Sequence, residues 1–292
     1  MERRIVARWG SVGALLLLLA ALVIDEMGGQ SAGLFATRSP YLEVTFLDVG
    51  QGDAILIETP DGAQALIDGG PDGTVLRELS RELPWGDRTL DLVIGTHPDK
   101  DHIGGLIDVL ARYKVMSILT TENTGETTAA SAYQKALTAE TNIVHFARAG
   151  QVYTLGASTT ITVLSPARDP SMLESNTSSI VVKVSYGESD FMLTGDAPVG
   201  IEDYLSVTYG EQLQSEVLKL GHHGSKTSTG ELFLEAVKPQ YAVVSSGKDN
   251  RYGHPNDEVV DRVTARNIPI SNTATEGAIH FLSDGARIWQ KQ

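Results

Sequence analysis

The chain predicts an α/β (α+β) fold in which sheets are covered by helices and a site lies along one sheet rim. Three observations carry this. Apolar, β-branched runs alternate with helical stretches along nearly the whole sequence. Histidines and aspartates able to bind metal fall at the ends of such runs rather than inside them. At 292 residues with 41% apolar content, the chain is long enough for one large domain or two small ones.

The elements follow in order. "YLEVTFLDVGQGDAILIETPDGAQALIDGG" predicts strands near 42–48, 53–58 and 64–68, broken by Gly-Asp and Asp-Gly turns. Residues 73–83 predict a helix. "DLVIGTH" predicts a buried strand that delivers His97, and "THPDKDHIGG" a loop that Gly104 and Gly105 let turn tightly. "LIDVLARY" has helical spacing at 103, 106, 107 and 110. A strand in "VMSILTT", a helix near 129–139 and strands near 142–145, 151–154 and 159–164 come next. "IVVKVSYG" and "DFMLTGD" predict two more strands, the second delivering Asp196. A helix near 198–206, the strand "SEVLKLGHH", a helix at 229–236, the strand "YAVVSSG" and a helix at 256–266 follow. The chain closes with the strands "AIHFLSDG" and "ARIWQ".

The N-terminus stands apart. Arg3, Arg4 and Arg8 precede sixteen uncharged residues from Trp9 to Ile24. At 1.5 Å per residue such a helix spans roughly 24 Å, short of a ~30 Å hydrocarbon core. Residues 1–25 read as a signal anchor or a cleaved signal peptide, 26–41 as a linker and 42–292 as the folded domain. With the basic residues inside, the domain is expected outside a bacterial-type cell membrane, tethered by one pass or secreted.

A net charge of −14 argues against a surface that grips nucleic acid by charge alone. The absence of cysteine excludes disulfides and thiolate metal sites, so any metal must be held by imidazole and carboxylate. Between His97 and His102 the chain places two histidines and two aspartates, donors suited to Zn²⁺ or Mn²⁺. His145 and His280 lie in strand-like runs and read as structural.

"THPDKDHIGG" resembles the H-x-[HD]-x-D-H signature of the metallo-β-lactamase fold. Together with "LDVGQGDA", "LIDGG", "FMLTGD", "VLKLGHHGSKTS" and "GKDNRYGHP" it resembles the C-terminal hydrolase domain of the ComEC/Rec2 competence proteins. The resemblance implies a four-layer αββα sandwich with a metal site at one edge of two packed sheets. It implies that His97, Asp99, Asp101 and His102 bind metal, that Asp196 bridges two ions, and that His222 or His223 adds a ligand, with His254 as the last. Asp68 matches an acid that braces the signature loop. Asp99 stands where many members carry histidine, which favours Mn²⁺. Asn176 stands near a third-motif histidine, where it and Ser179 orient the loop, touch substrate or simply cap a turn.

Two divalent ions sharing a water would lower its pKa toward ~7 and yield a nucleophile, with Asp101, His223 and Lys226 the expected catalytic side chains. Ser225, Lys226 and Thr227 follow the histidine pair, and Lys248 and Arg251 precede His254. Hydroxyls and cations there suit a phosphodiester, DNA included. Lactone, thioester and β-lactam hydrolysis, or a non-catalytic surface module, are the alternatives. The resemblance does not extend to a membrane channel, for which this chain has no room.

Overall fold

The computed structural model describes residues 39–140 and 143–291. The expected anchor at 1–25 lies outside the described residues, as does most of the linker. Among the described residues, no helix is long and apolar enough to cross a membrane.

The strands are β1 (Leu42–Phe46), β2 (Ile55–Glu58), β3 (Gln64–Ile67), β4 (Thr89–Leu90), β5 (Leu92–Gly95), β6 (Lys114–Val115), β7 (Ile118–Thr120) and β8 (Val144–Phe146), followed by β9 (Val152–Leu155), β10 (Thr159–Ser165), β11 (Val181–Tyr186) and β12 (Ser189–Leu193). After these come β13 (Val217–Lys219), β14 (Tyr241–Val244), β15 (Ile270–Asn272), β16 (Ile279–Ser283) and β17 (Ile288–Gln290). One sheet runs β17-β16-β1-β2-β3-β5-β7-β8 and the other β15-β14-β13-β12-β11-β10-β9, with β4 and β6 a separate pair. Each large sheet is part antiparallel and part parallel. The parallel stretches are β3-β5-β7-β8 and β12-β13-β14-β15, joined by helical crossovers.

Strand periodicity explains the layering. Along β1 and β2, Leu42, Val44, Phe46, Ile55 and Ile57 point between the sheets, where they meet Ile161, Val184, Phe191 and Val217. The alternate residues Leu56, Leu66 and Val93 point outward, under the helices Thr74–Glu82, Leu106–Arg112 and Thr128–Ala139. The second sheet buries Val181, Met192, Leu218 and Ala242 under the helices Val199–Tyr209, Glu231–Val237 and Asp257–Thr264. Three apolar cores therefore separate four layers, the αββα sandwich that the resemblance implied. Strands covered on both faces read as continuous apolar runs, hence "DLVIG" and "YAVV".

Four details differ from the sequence reading. The signature is not all loop, because Asp101 and His102 already lie in the helical turn Lys100–Ile103. Gly104 and Gly105 keep ordinary helical φ of −59° and −75°. They are required by crowding instead: a Cβ on Gly104 would sit 2.3 Å from the Pro71 carbonyl oxygen, and one on Gly105 2.0 Å from that of Gly69. The strand expected through His223 ends at Lys219, four residues earlier, where the backbone enters a 3-10 turn. β15 was not expected at all; its sequence, ISN, is too short and polar to show a strand period.

Candidate metal centre

The first sheet delivers its donors at the C-terminal ends of β3 and β5. His97 follows β5 and is fully buried, while Asp99 occupies the N-cap position of the helix carrying Asp101 and His102. Asp68 ties the segment together. It accepts hydrogen bonds from the Thr96 amide (2.8 Å), the Thr96 hydroxyl (2.8 Å) and His102 Nδ1 (2.7 Å). Having given its proton to Asp68, the Thr96 hydroxyl accepts from His97 Nδ1 at 3.0 Å. With Nδ1 engaged in this way, both imidazoles aim Nε2 inward. Asp68 does this from a left-handed backbone, φ +60°.

The second sheet supplies the rest from turns. Asp196 follows β12, and its amide donates to Ser179 Oγ at 3.3 Å. His222 and His223 occupy consecutive left-handed positions, φ +49° and +56°, which swing both rings back over the sheet rim. His223 Nδ1 donates to the Ser245 carbonyl (2.9 Å), so its Nε2 also faces the centre. His222 Nδ1 bonds Thr227 Oγ1 at 3.1 Å and lies 3.5 Å from Asn176 Nδ2.

Four imidazoles then meet one oxygen. Asp196 Oδ2 lies 3.8 Å from His97 Nε2, 3.3 Å from His102 Nε2, 3.7 Å from His222 Nε2 and 3.5 Å from His223 Nε2. Asp99 Oδ2 is 3.7 Å from His97 Nε2, and Asp101 Oδ2 is 3.4 Å from His223 Nε2. Donors bound ~2.0–2.2 Å from one tetrahedral ion stand ~3.3–3.6 Å apart, so these spacings fit divalent ions. The buried Nε2 atoms of His97, His102 and His223 have no hydrogen-bond partner. Burial without a partner is costly for such atoms, and a metal relieves it.

Charge sets how tightly the imidazoles hold their protons. Burial works against a proton on His102, yet the Asp196 and Asp68 carboxylates outweigh it and raise its pKa well above the ordinary value. His223 behaves likewise and, despite burial, is raised to about 9 by Asp196 and Asp53. Burial and the neighbouring His102 bring His97 down to about 4. Metal binding must displace the protons of His102 and His223.

The remaining expected residues take these places. Asp99 accepts from Ser175 Oγ at 2.7 Å. His254 is half-buried, its ring 5.6 Å from that of His222 and 6.4 Å from that of His223, with a buried Nδ1 that has no partner. Asn176 faces His222. Ser225 is buried and bonds Thr227, whereas Lys226 is exposed. Arg251 is exposed, its guanidinium 4.9 Å from the Tyr252 ring, and Tyr252 stacks on His254 at 5.7 Å. His280, far from the centre, bonds Glu43 across β1 and β16 at 3.2 Å.

Sequence reading missed two charged residues. Asp53 and Lys219 are buried beside the centre, with Nζ 2.5 Å from Asp53 Oδ2. Their only sequence signal was their place in "GQGDA" and "LKLGHH". Asp53, His102, Asp196 and His223 offer atoms that all lie within 4.8 Å of one another. Asp53, however, faces the Nδ1 side of both rings, 3.3 Å from His223 and 3.8 Å from His102. Those nitrogens are already committed to Ser245 and Asp68, so Asp53 stands behind the ligand set.

A model of the metallo-beta-lactamase superfamily matches residues 47–248. The chain belongs to that superfamily. It is 31% identical over 258 residues to ComE operon protein 3 of Bacillus subtilis (82% of this chain, 33% of that protein). It is 32% identical over 289 residues to Recombination protein 2 of Haemophilus influenzae (96% and 33%), and 33% identical over 242 residues to Competence protein ComA of Neisseria gonorrhoeae (82% and 32%). The chain thus spans about a third of the length of these relatives. Among solved structures, CmlA, a diiron beta-hydroxylase from Streptomyces venezuelae, superposes with a TM-score of 0.54 at 13% identity, over 86% of this chain and 54% of that one. At that identity the likeness concerns the fold alone. Superfamily, relatives and converging donors support a metal-dependent hydrolase that holds divalent metal ions.

Proposed function

We propose that the chain is a phosphodiesterase that cleaves nucleic-acid strands, DNA among them, with two divalent ions, zinc or manganese. The observation that carries this reading is the meeting of four imidazole Nε2 atoms with Asp196 Oδ2. His97, Asp99 and Asp196 would hold one ion, and Asp101, His102, His223 and Asp196 the other, with His222 a further donor. When bound, the ions supply Lewis acidity and a nucleophile at neutral pH.

The protein's own groups do the positioning. Asp99 and Asp101 are the most exposed members of the set, with side chains 40% and 34% accessible against 27% for His222, so substrate enters past them. Asp101 orients the attacking water. His223 is held by Ser245 and cannot rotate away from Asp101. Lys226 and Arg251 are exposed on the two loops that carry His223 and His254. Their charges there suit a phosphate against an otherwise acidic molecule. The names of the competence and recombination relatives support a DNA substrate. The apolar run at 9–24, preceded by arginines, supports a tether to a membrane or export, with the domain outside the cytoplasm.

The test is elemental analysis of purified protein, followed by turnover of bis-p-nitrophenyl phosphate and single-stranded DNA with Mn²⁺ or Zn²⁺. Cleavage that Asp101→Ala abolishes is expected. A fully loaded protein that cleaves neither, while hydrolysing a lactone, a thioester or nitrocefin, overturns the phosphodiester reading.

A further inference from the structure

Lys219 is wholly buried, at the end of β13, with an ammonium that reaches no solvent. It sits 2.5 Å from Asp53 Oδ2, donates to the Gly195 carbonyl at 3.1 Å, and lies 3.7 Å from Asp196 Oδ1. Asp196 is therefore two-sided. Its Oδ2 faces the four imidazoles, and its Oδ1 faces the ammonium. Asp53 is two-sided as well, with Oδ1 against His223 Nδ1 and Oδ2 against the ammonium. By distance alone Asp53 belongs to the cage, since its oxygens lie as near to His102, Asp196 and His223 as metal ligands do. What separates it from the ligands is its place on the Nδ1 side of both rings, and the cation beside it holds it there.

Charge points the same way. Asp53, Asp68, Asp99, Asp101 and Asp196 crowd around this centre. One ammonium and the two divalent cations proposed above would carry the five positive charges that balance them. A carboxylate as buried as Asp53 is tolerated only when paired.

We propose that Lys219 is a positioning residue of the metal centre: its ammonium closes the rear of the cage, keeps Asp53 out of the ligand set, and leaves Asp196 only Oδ2 to present to the metals. The inference rests on the centre binding divalent ions as proposed above. Removing the lysine frees a carboxylate and removes a repelling charge, so metal binding tightens. Removing the aspartate leaves an uncompensated cation behind the metals, so binding weakens. Removing both restores the balance. A merely structural role for the pair weakens binding in all three variants.

The experiment is calorimetric titration of the full chain with Mn²⁺ alone, with elemental analysis for stoichiometry. Lys219→Met is expected to bind at least about tenfold more tightly than the unsubstituted chain, and Asp53→Asn at least about tenfold more weakly. The double variant is expected within about threefold of the unsubstituted chain. A folded Lys219→Met with unchanged or weaker binding overturns the proposal. If Lys219→Met fails to fold, the comparison of Asp53→Asn with the double variant decides. Recovery of affinity in the double variant supports the proposal, and a double variant no better than Asp53→Asn overturns it. An unsubstituted chain that binds no Mn²⁺ sinks the metal-centre reading itself, a result distinct from metal binding that the substitutions leave unmoved.

Discussion

The rim of the first sheet contributes its donors from six consecutive residues of extended and helical backbone, His97 to His102. The rim of the second gathers Asp196, His222, His223 and His254 from three separate turns. The first is organised by a single acid, Asp68, whose carboxylate aligns Thr96 and His102. The second is organised by strained backbone. Two adjacent left-handed residues cost roughly 1–2 kcal/mol each, offset by hydrogen bonds from the His222 amide to Gly195 and from the Ser225 amide to His222. Buried Glu202 then accepts from the Thr229 and Gly230 amides and pins the end of the same loop. A metal site thus has one half written locally and one half assembled by topology.

Asp196 is where the halves join, and its removal should have the largest effect. Asp196→Ala is expected to abolish phosphodiester turnover and to lower metal content, a loss well beyond the 10–100-fold typical of residues that only orient ligands. Retention of both ions after dialysis would break the comparison. Asp68→Asn loosens the first rim alone, since His222 and His223 make no contact with it. A loss of about 10–100-fold in metal affinity is expected there, read by titration against a competing chelator.

Backbone crowding offers a sharper cut. A Cβ on Gly52 (φ +142°) would lie 2.2 Å from the Asp101 carbonyl oxygen, which accepts from the Asp53 amide. Gly52→Ala should therefore push Asp53 and Asp101 apart and destabilise the fold by about 1–3 kcal/mol, measurable by urea denaturation.

Two of the imidazoles, one on each rim, titrate in opposite senses without metal. His223, raised to about 9 from 6.5, keeps a proton that the unfolded chain has released. Its contribution is complete below pH 6.5 and is lost as pH rises through 9. His97, lowered to about 4, contributes fully above pH 6.5, and that contribution is lost as pH falls through 4. In EDTA, the melting temperature should fall from pH 7 to 9.5, and His223→Gln should flatten that fall. Lys226→Ala carries the smallest effect expected. It lies at the exposed edge of the second rim, so KM should rise by less than about tenfold with kcat little changed.

Much of this was legible in the sequence because it is local. Continuous apolar runs such as "DLVIG" and "YAVV" announced strands covered on both faces. A histidine after "DLVIGT" announced a donor at a strand end, and the run from His97 to His102 announced a metal. The pair His222 and His223 was legible as a candidate ligand or a turn, but its consecutive left-handed φ values leave no mark in composition. The same holds for β15, which is held by its pairing with β14 rather than by propensity.

Lys219 shows the limit most clearly. In sequence it is one lysine in a β-run, and nothing about "VLKLG" separates a dry ammonium from one reaching into solvent. Its burial follows from β13 lying between β12 and β14, with Lys219 on the face that Val217 turns toward the other sheet, from which its partner Asp53 comes. The amino-acid sequence alone determined the order of strands and helices, since periodicity acts over a few residues, and its motifs, through their resemblance to the metallo-β-lactamase fold, implied the layers, the type of chemistry and the candidate donors. Only tertiary structure decided which carboxylates face the metals and which face a lysine, because electrostatic pairing in a dry interior depends on distances that chain connectivity does not set.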